Sequence, residues 1–252
     1  MNIVMLVGDG ESSRIVYNSL SRDFDIKKVI EDTSVSKKIF LKRRVKKIGY
    51  SKVFGQILFM IYNKILLKKS KDRIESIKTE NRLNSNFYPK KVFKKVESIN
   101  NKETIDILLK NKPDIIIVNG TRILSKNILN TVDAIFINTH VGITPSYRGV
   151  HGGYWSLVNR DYENCGVTVH LVDEGIDTGG ILYQDLIEIT NLDNINTYPY
   201  LQIAKAIPLL KQAIKDVIKG GVKIREIPAS SSTLYSHPTL LEYFKNKNNG
   251  VK

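Results

Sequence analysis

Short apolar runs alternate along the chain with stretches in which apolar positions recur every three or four residues. Ile3–Val7 is a continuous apolar run that stops at Gly8-Asp9-Gly10, which predicts a buried strand. Glu11–Leu20 then places Ile15, Val16 and Leu20 on one helical face, and Ile26–Ile30 is a second strand. After a basic helical stretch, Val96–Ile99 predicts a short strand and Glu103–Lys110 a helix that Pro113 ends. Ile115-Ile116-Ile117-Val118 is the clearest strand, a β-branched run before Asn119-Gly120. Ser125 reads as the N-cap of a short helix to Leu129. Ala134–Asn138 is a strand and Gly152–Asn159 a helix. Gly166–Val172 and Ile181–Ile189 are strands joined by a glycine-rich loop. Tyr200–Lys219 is a helix ending at Gly220-Gly221, Val222–Ile227 a last strand, and the rest a polar tail. This alternation predicts an α/β fold: a mostly parallel sheet flanked by helices, whose ligands gather at strand carboxyl ends.

Composition adds one sharp feature. The 252 residues carry a net charge of +14. Lys37 to Lys95 holds 19 basic and three acidic residues, whereas the rest holds 20 basic and 22 acidic. The charge therefore belongs to a helical insert at about 37–95, and a uniformly basic nucleic-acid-binding domain is excluded. Inside the insert, Val53, Ile57, Ile61 and Ile65 recur at helical spacing within an apolar run ending at Leu67, too short to span a bilayer. Three readings stand open for it: packing on the core or a second subunit, lying on an anionic membrane surface, or meeting nucleic acid. The single cysteine, Cys165, cannot form an internal disulfide, which favours a reducing compartment. The N-terminus lacks the basic and long apolar regions of a signal peptide, so a cytoplasmic chain is expected.

Four loops after predicted strands hold the candidate chemistry. Gly8, Gly10, Ser12 and Ser13 open a helix and could cradle a phosphate; a plain tight turn fits equally well. Asn119–Leu124 is a strand-to-helix turn. Asn138 and His140 lie two apart at a strand end, so they can converge on one polar group or simply satisfy a polar corner. Asp173–Gly180 combines carboxylates with three glycines but lacks the spacing of a calcium loop. No His/Cys cluster offers a zinc site, and His151, His170 and His237 are scattered along the chain.

Asn138-Thr139-His140, Pro145-x-Tyr147-Arg148-Gly149 and His170-Leu171-Val172-Asp173-Glu174-Gly175-Ile176-Asp177-Thr178-Gly179 together resemble the folate-dependent formyltransferase family. That family includes glycinamide ribonucleotide, methionyl-tRNA and sugar N-formyltransferases. The resemblance is strongest over residues 114–190, takes in a Rossmann-like core with Gly8–Ser13, and reaches neither the insert nor the tail. It implies a catalytic domain at 1–227, carrying the insert, and a C-terminal tail at 228–252. It implies Asn138, His140 and Asp177 as the catalytic triad and no metal. It implies 10-formyltetrahydrofolate as co-substrate, held by Arg122, Ile123, Leu124, Val172, Asp173 and Gly175. Substrate contacts would come from Gly8, Gly10, Ser12, Ser13, Tyr147, Arg148 and Trp155. Asn138 and a protonated His140 would donate to the oxyanion, while Asp177 would favour the imidazolium and take up the amine proton. Val141-Gly142-Ile143-Thr144 stands where Ser-Leu-Leu is common in that family.

The tRNA enzymes of the family carry an additional RNA-binding domain, for which the residues after Gly220 leave no room. Tyr154-Trp155 after Arg148-Gly149 is similar to the sugar branch. The expectation is an N-formyltransferase acting on a nucleotide-linked amino sugar for surface polysaccharide such as lipopolysaccharide. No nucleic-acid partner is expected; membrane contact through the insert and a homo-oligomer stay open. The alternatives are glycinamide ribonucleotide formyltransferase and a non-catalytic folate-binding module.

Overall fold

The computed structural model describes residues 1–34, 36–225 and 232–252. Its centre is β1 (Ile3–Gly8), where Ile3, Met5 and Val7 face one side and Val4 and Leu6 the other. That two-residue alternation, apolar on both faces, is what a parallel strand buried between two helical layers requires. β1 pairs in parallel with β2 (Ile26–Asp32) and β4 (Ile115–Asn119). β3 (Phe93–Val96) lies beyond β2 and β5 (Ile135–His140) beyond β4, both parallel. The small β6 (Tyr147–Gly149) stands outside this sheet. β7 (Gly166–Leu171) and β8 (Ile181–Leu186) complete it in antiparallel sense, giving the order β3-β2-β1-β4-β5-β7-β8. The expected mostly parallel sheet is therefore present.

One face is covered by α1 (Glu11–Leu20), through Ile15, Val16 and Leu20, and by the longest helix, which presents Leu210, Ile214 and Val217. The other face meets Leu108 and Ile128, from the helices Lys102–Asn111 and Lys126–Leu129. The insert between β2 and β3 forms α2 (Lys37–Ile48), α3 (Tyr50–Lys69) and α4 (Lys71–Glu80). The helices after it are α5 (Lys102–Asn111), α6 (Lys126–Leu129), α7 (Gly152–Val158), α8 (Tyr198–Ile218) and α9 (Leu240–Asn248). α3 buries Val53, Gln56 and Phe59, with Phe59 in a cluster with Tyr154 and Leu157 of α7 and Tyr243 of α9. α4 buries Ile74 and Ile77 and is tied down by Arg73, whose Nε and Nη2 meet the buried Asp193 carboxylate at 2.9 and 3.2 Å.

Some elements differ from their sequence outlines. The strand expected at Val96–Ile99 is β3 at Phe93–Val96; its Lys94 and Lys95 are tolerated because β3 is an edge strand, where charge faces water. β8 ends at Leu186 rather than Ile189. Of the last expected strand, 226 and 227 lie outside the described residues, and among the described residues 222–225 makes an isolated antiparallel bridge of Arg225 to Ile181 in place of a strand. The described part of the tail holds β9 (Thr233–Tyr235) and α9. β9 pairs in parallel with β6, in register Tyr147 to Thr233 and Gly149 to Tyr235. Tyr235 stacks on Tyr147 and on Trp155, and the Trp155 indole donates to the Ser236 carbonyl at 3.0 Å.

Candidate active site

The strand order reverses between β1 and β4, and a crevice opens next to that point, at the carboxyl ends of β4 and β5, the end of an open α/β sheet where ligands gather. It measures about 360 Å³ and is walled by the segment after β4, the end of β5 and the loop after β7. That volume lies in the small-molecule range of about 300–1,000 Å³. Asn138, His140 and Asp177 all line it, as do Arg122, Ile123, Leu124, Val172, Asp173 and Gly175.

Asn138 and His140 project from β5 two residues apart, and Asp177 arrives from the folded-back loop after β7. Asp177 adopts φ +52°, a left-handed conformation that Asp tolerates better than most residues. Its Oδ2 lies 3.2 Å from His140 Nδ1 and accepts the Gly149 backbone N–H at 3.0 Å. His140 Nε2 lies 2.7 Å from the Tyr147 carbonyl oxygen. Both ring nitrogens thus face protein oxygens, the Asp177 carboxylate at Nδ1 and the Tyr147 carbonyl at Nε2. The carboxamide of Asn138 sends one N–H to His170 Nε2 at 3.1 Å and keeps the other for the crevice.

Local sequence explains the tight packing around His140. A Cβ on Gly142 would sit 2.4 Å from the Tyr147 carbonyl and 2.7 Å from His140 Nε2. Gly142 therefore admits the contact that a larger residue would break. Behind β5, the Ser13 hydroxyl donates to Asn119 Oδ1 at 3.1 Å, and Asn119 Nδ2 donates to Thr139 at 3.0 Å. The first turn of α1 thereby braces Thr139, the residue between Asn138 and His140.

A family model described as formyl transferase matches residues 36–205, more than half of the chain. The chain belongs to the formyl transferase family. The matched span includes the basic insert, which the motif resemblance does not reach. Over 96 residues the chain is 38% identical to methionyl-tRNA formyltransferase of Finegoldia magna, covering 38% of this chain and 31% of that protein. The chain spans about a third to a half of the length of the methionyl-tRNA formyltransferases it matches. The fold resembles a sugar N-formyltransferase from Shewanella sp. FDAARGOS_354, with TM-score 0.56 and 16% identity, over 93% of this chain and 76% of that one. It also resembles phosphoribosylglycinamide formyltransferase from Streptococcus pneumoniae TIGR4, with TM-score 0.53 and 17% identity, over 86% and 99%.

The remaining predicted residues serve in different ways. The Arg122 guanidinium turns from the crevice to Asp32 (2.7 Å) and the Thr33 carbonyl (2.6 Å), so its segment offers the crevice mainly backbone and the apolar Ile123 and Leu124. The Asp173 carboxylate accepts from Gly175 N and the Thr178 hydroxyl, which shapes the loop that delivers Asp177. Gly8, Gly10, Ser12 and Ser13 do not line the crevice, and Ser12 and Ser13 both donate to Asn119. Tyr147 and Trp155 also stand outside it: the Tyr147 hydroxyl donates to Asp161 at 2.8 Å, and both rings stack on Tyr235. Arg148 holds the Ile176 carbonyl at 3.1 Å, beside Asp177.

Two histidine placements escaped sequence reasoning. His170, far from Asn138 in the chain, lies opposite it in the antiparallel β5–β7 register, with Nδ1 bound to the Leu171 carbonyl at 2.6 Å. Burial pushes its pKa down, so its neutral Nε2 accepts from Asn138. His151 and His237 also meet, Nε2 to Nδ1 at 2.9 Å. Burial, and secondarily the His237 ring, push the His151 pKa down to about 3.

Proposed function

We propose that the protein transfers a formyl group from 10-formyltetrahydrofolate to the primary amine of a nucleotide-linked amino sugar. The observation that carries the transfer reaction is the convergence of Asn138, His140 and Asp177 in one crevice. The apolar side chains of Ile123, Leu124 and Val172, with backbone amides and carbonyls between them, suit a flat heterocycle with polar edges. When bound, the folate supplies the formyl group on an amine-like nitrogen. The free N–H of Asn138 stabilises the negative charge that develops on the formyl oxygen, a contribution of about 2.7–4 kcal/mol. Asp177 Oδ1, 3.8 Å from His170 Nε2 and free of closer hydrogen bonds among the described residues, is the oxygen open to take the proton that the attacking amine loses and to return it to the folate nitrogen as the bond from that nitrogen to the formyl carbon breaks. His140 and Gly149 hold the other carboxylate oxygen and so fix the direction in which Oδ1 points.

Two observations support the sugar over glycinamide ribonucleotide. The aromatic pair Tyr154-Trp155 after Arg148-Gly149 resembles the sugar branch in sequence, with neither ring lining the crevice. The loop that would hold the ribonucleotide phosphate has its Ser12 and Ser13 hydroxyls committed to Asn119, and its Glu11 and Asp9 carboxylates already occupy the nearby cations Lys78 and Lys95. A second reading, methionyl-tRNA as acceptor, is favoured by the curated relatives that share 30–38% identity. The test offers purified protein and 10-formyltetrahydrofolate a panel of amino nucleotide-sugars, glycinamide ribonucleotide and methionyl-tRNA. Turnover of an amino nucleotide-sugar is expected. Turnover of methionyl-tRNA or glycinamide ribonucleotide alone would move the acceptor, and turnover of none with tight folate binding would leave a binding module.

A further inference from the structure

Helices α2 and α3 carry a surface that formyl transfer does not use. Tyr50, Phe54, Leu58, Ile61 and Ile65 follow one another along α3 at steps of four, four, three and four residues, which places them on one stripe. All five are exposed, and Tyr50, Phe54, Ile61 and Ile65 are each more than half exposed. The opposite side, Val53, Gln56 and Phe59, is the side that packs on the body. An apolar stripe of this length facing water marks an interaction surface. Exposed Lys42, Arg43, Lys46 and Lys47 on α2, and Lys64 and Lys68 on α3, accompany it. Residues 37–71 contain 12 basic residues and no acidic one.

We propose that this face of α2 and α3 docks on an anionic lipid bilayer, with α3 lying in the plane of the headgroups. The occupant is chosen by charge and by apolar area together. A second copy of the chain would set one acid-free basic segment against another, and the repulsion would oppose pairing. A nucleic acid would answer the lysines but not the stripe, since Leu58, Ile61 and Ile65 provide no stacking face. An anionic membrane answers both: the apolar side chains enter the acyl boundary while the lysines meet lipid phosphates. Crossing the bilayer is a different matter, because among the described residues no helix is long and apolar enough to do so.

The test sediments full-length protein with vesicles of phosphatidylcholine alone and of phosphatidylcholine with phosphatidylglycerol. The protein is expected to pellet with the anionic vesicles only and to be released by high salt. The double variant Phe54→Ser/Ile61→Ser is expected to weaken vesicle binding by at least about tenfold, with melting temperature and formyl transfer unchanged. Lys42→Glu/Lys46→Glu should weaken it as well while leaving the apolar stripe intact. Absence of pelleting overturns the proposal, as does pelleting that neither variant changes. Sedimentation velocity showing a dimer that Phe54→Ser dissociates, or salt-sensitive RNA binding without vesicle binding, would also overturn it. Vesicle binding is read without any acceptor, so its failure is separate from failure of the formyl-transfer reading.

Discussion

Lowering the pH should destabilise this protein through a pair of histidines outside the crevice. His151 Nε2 lies 2.9 Å from His237 Nδ1, and its pKa is about 3 in the fold against about 6.5 in an unfolded chain. Above pH 6.5 the ring is neutral in both states and costs nothing. As pH falls from 6.5 towards 3, the unfolded chain binds a proton that the folded chain refuses, so stability is progressively lost. At pH 5 this amounts to about 2 kcal/mol, from one and a half pH units at about 1.4 kcal/mol each. For a chain of this size that lowers the melting temperature by about 4–8 °C. The assay is urea denaturation at pH 7.5 and pH 5, for wild type and His151→Asn. Asn suits the site because residue 151 adopts φ +59°, which Asn tolerates, and it does not titrate. The wild type should lose about 2 kcal/mol more than the variant between the two pH values. Equal losses in the two proteins would refute the reasoning.

Asn138→Ala should lower kcat by about a hundredfold to a thousandfold, with folate affinity within a few-fold of wild type, in steady-state kinetics beside a folate titration. Gly142→Ala should reduce activity steeply, because the new methyl would stand 2.4 Å from the Tyr147 carbonyl and 2.7 Å from His140 Nε2. Activity assays with circular dichroism should show that loss in a protein that still folds. Phe59→Ala removes a side chain that is 1% exposed and rests on Tyr243, and should cost about 3–5 kcal/mol in urea denaturation.

The parallel core was legible because its signal is local. Ile115-Ile116-Ile117-Val118 can satisfy apolar layers on both sides only as a central strand, and it is one. The crevice residues were legible because they follow strand ends in recognisable order. His170 was not, since its place depends on an antiparallel register across from Asn138 that no local pattern encodes. Trp155 and Tyr147 read as acceptor contacts, yet their polar atoms are taken by Ser236 and Asp161, partners fixed only by tertiary packing. β3 was misplaced because an edge strand with two exposed lysines carries little apolar alternation.

The pairing of β6 with β9 has a consequence for the order in which the protein is made. Gly149, whose N–H steadies Asp177, lies in register with Tyr235. A chain emerging from the ribosome therefore possesses Asn138, His140 and Asp177 well before it possesses the strand that braces Gly149. A chain interrupted between Asp177 and Thr233 would hold all three groups proposed for the chemistry without the strand that pairs with Gly149.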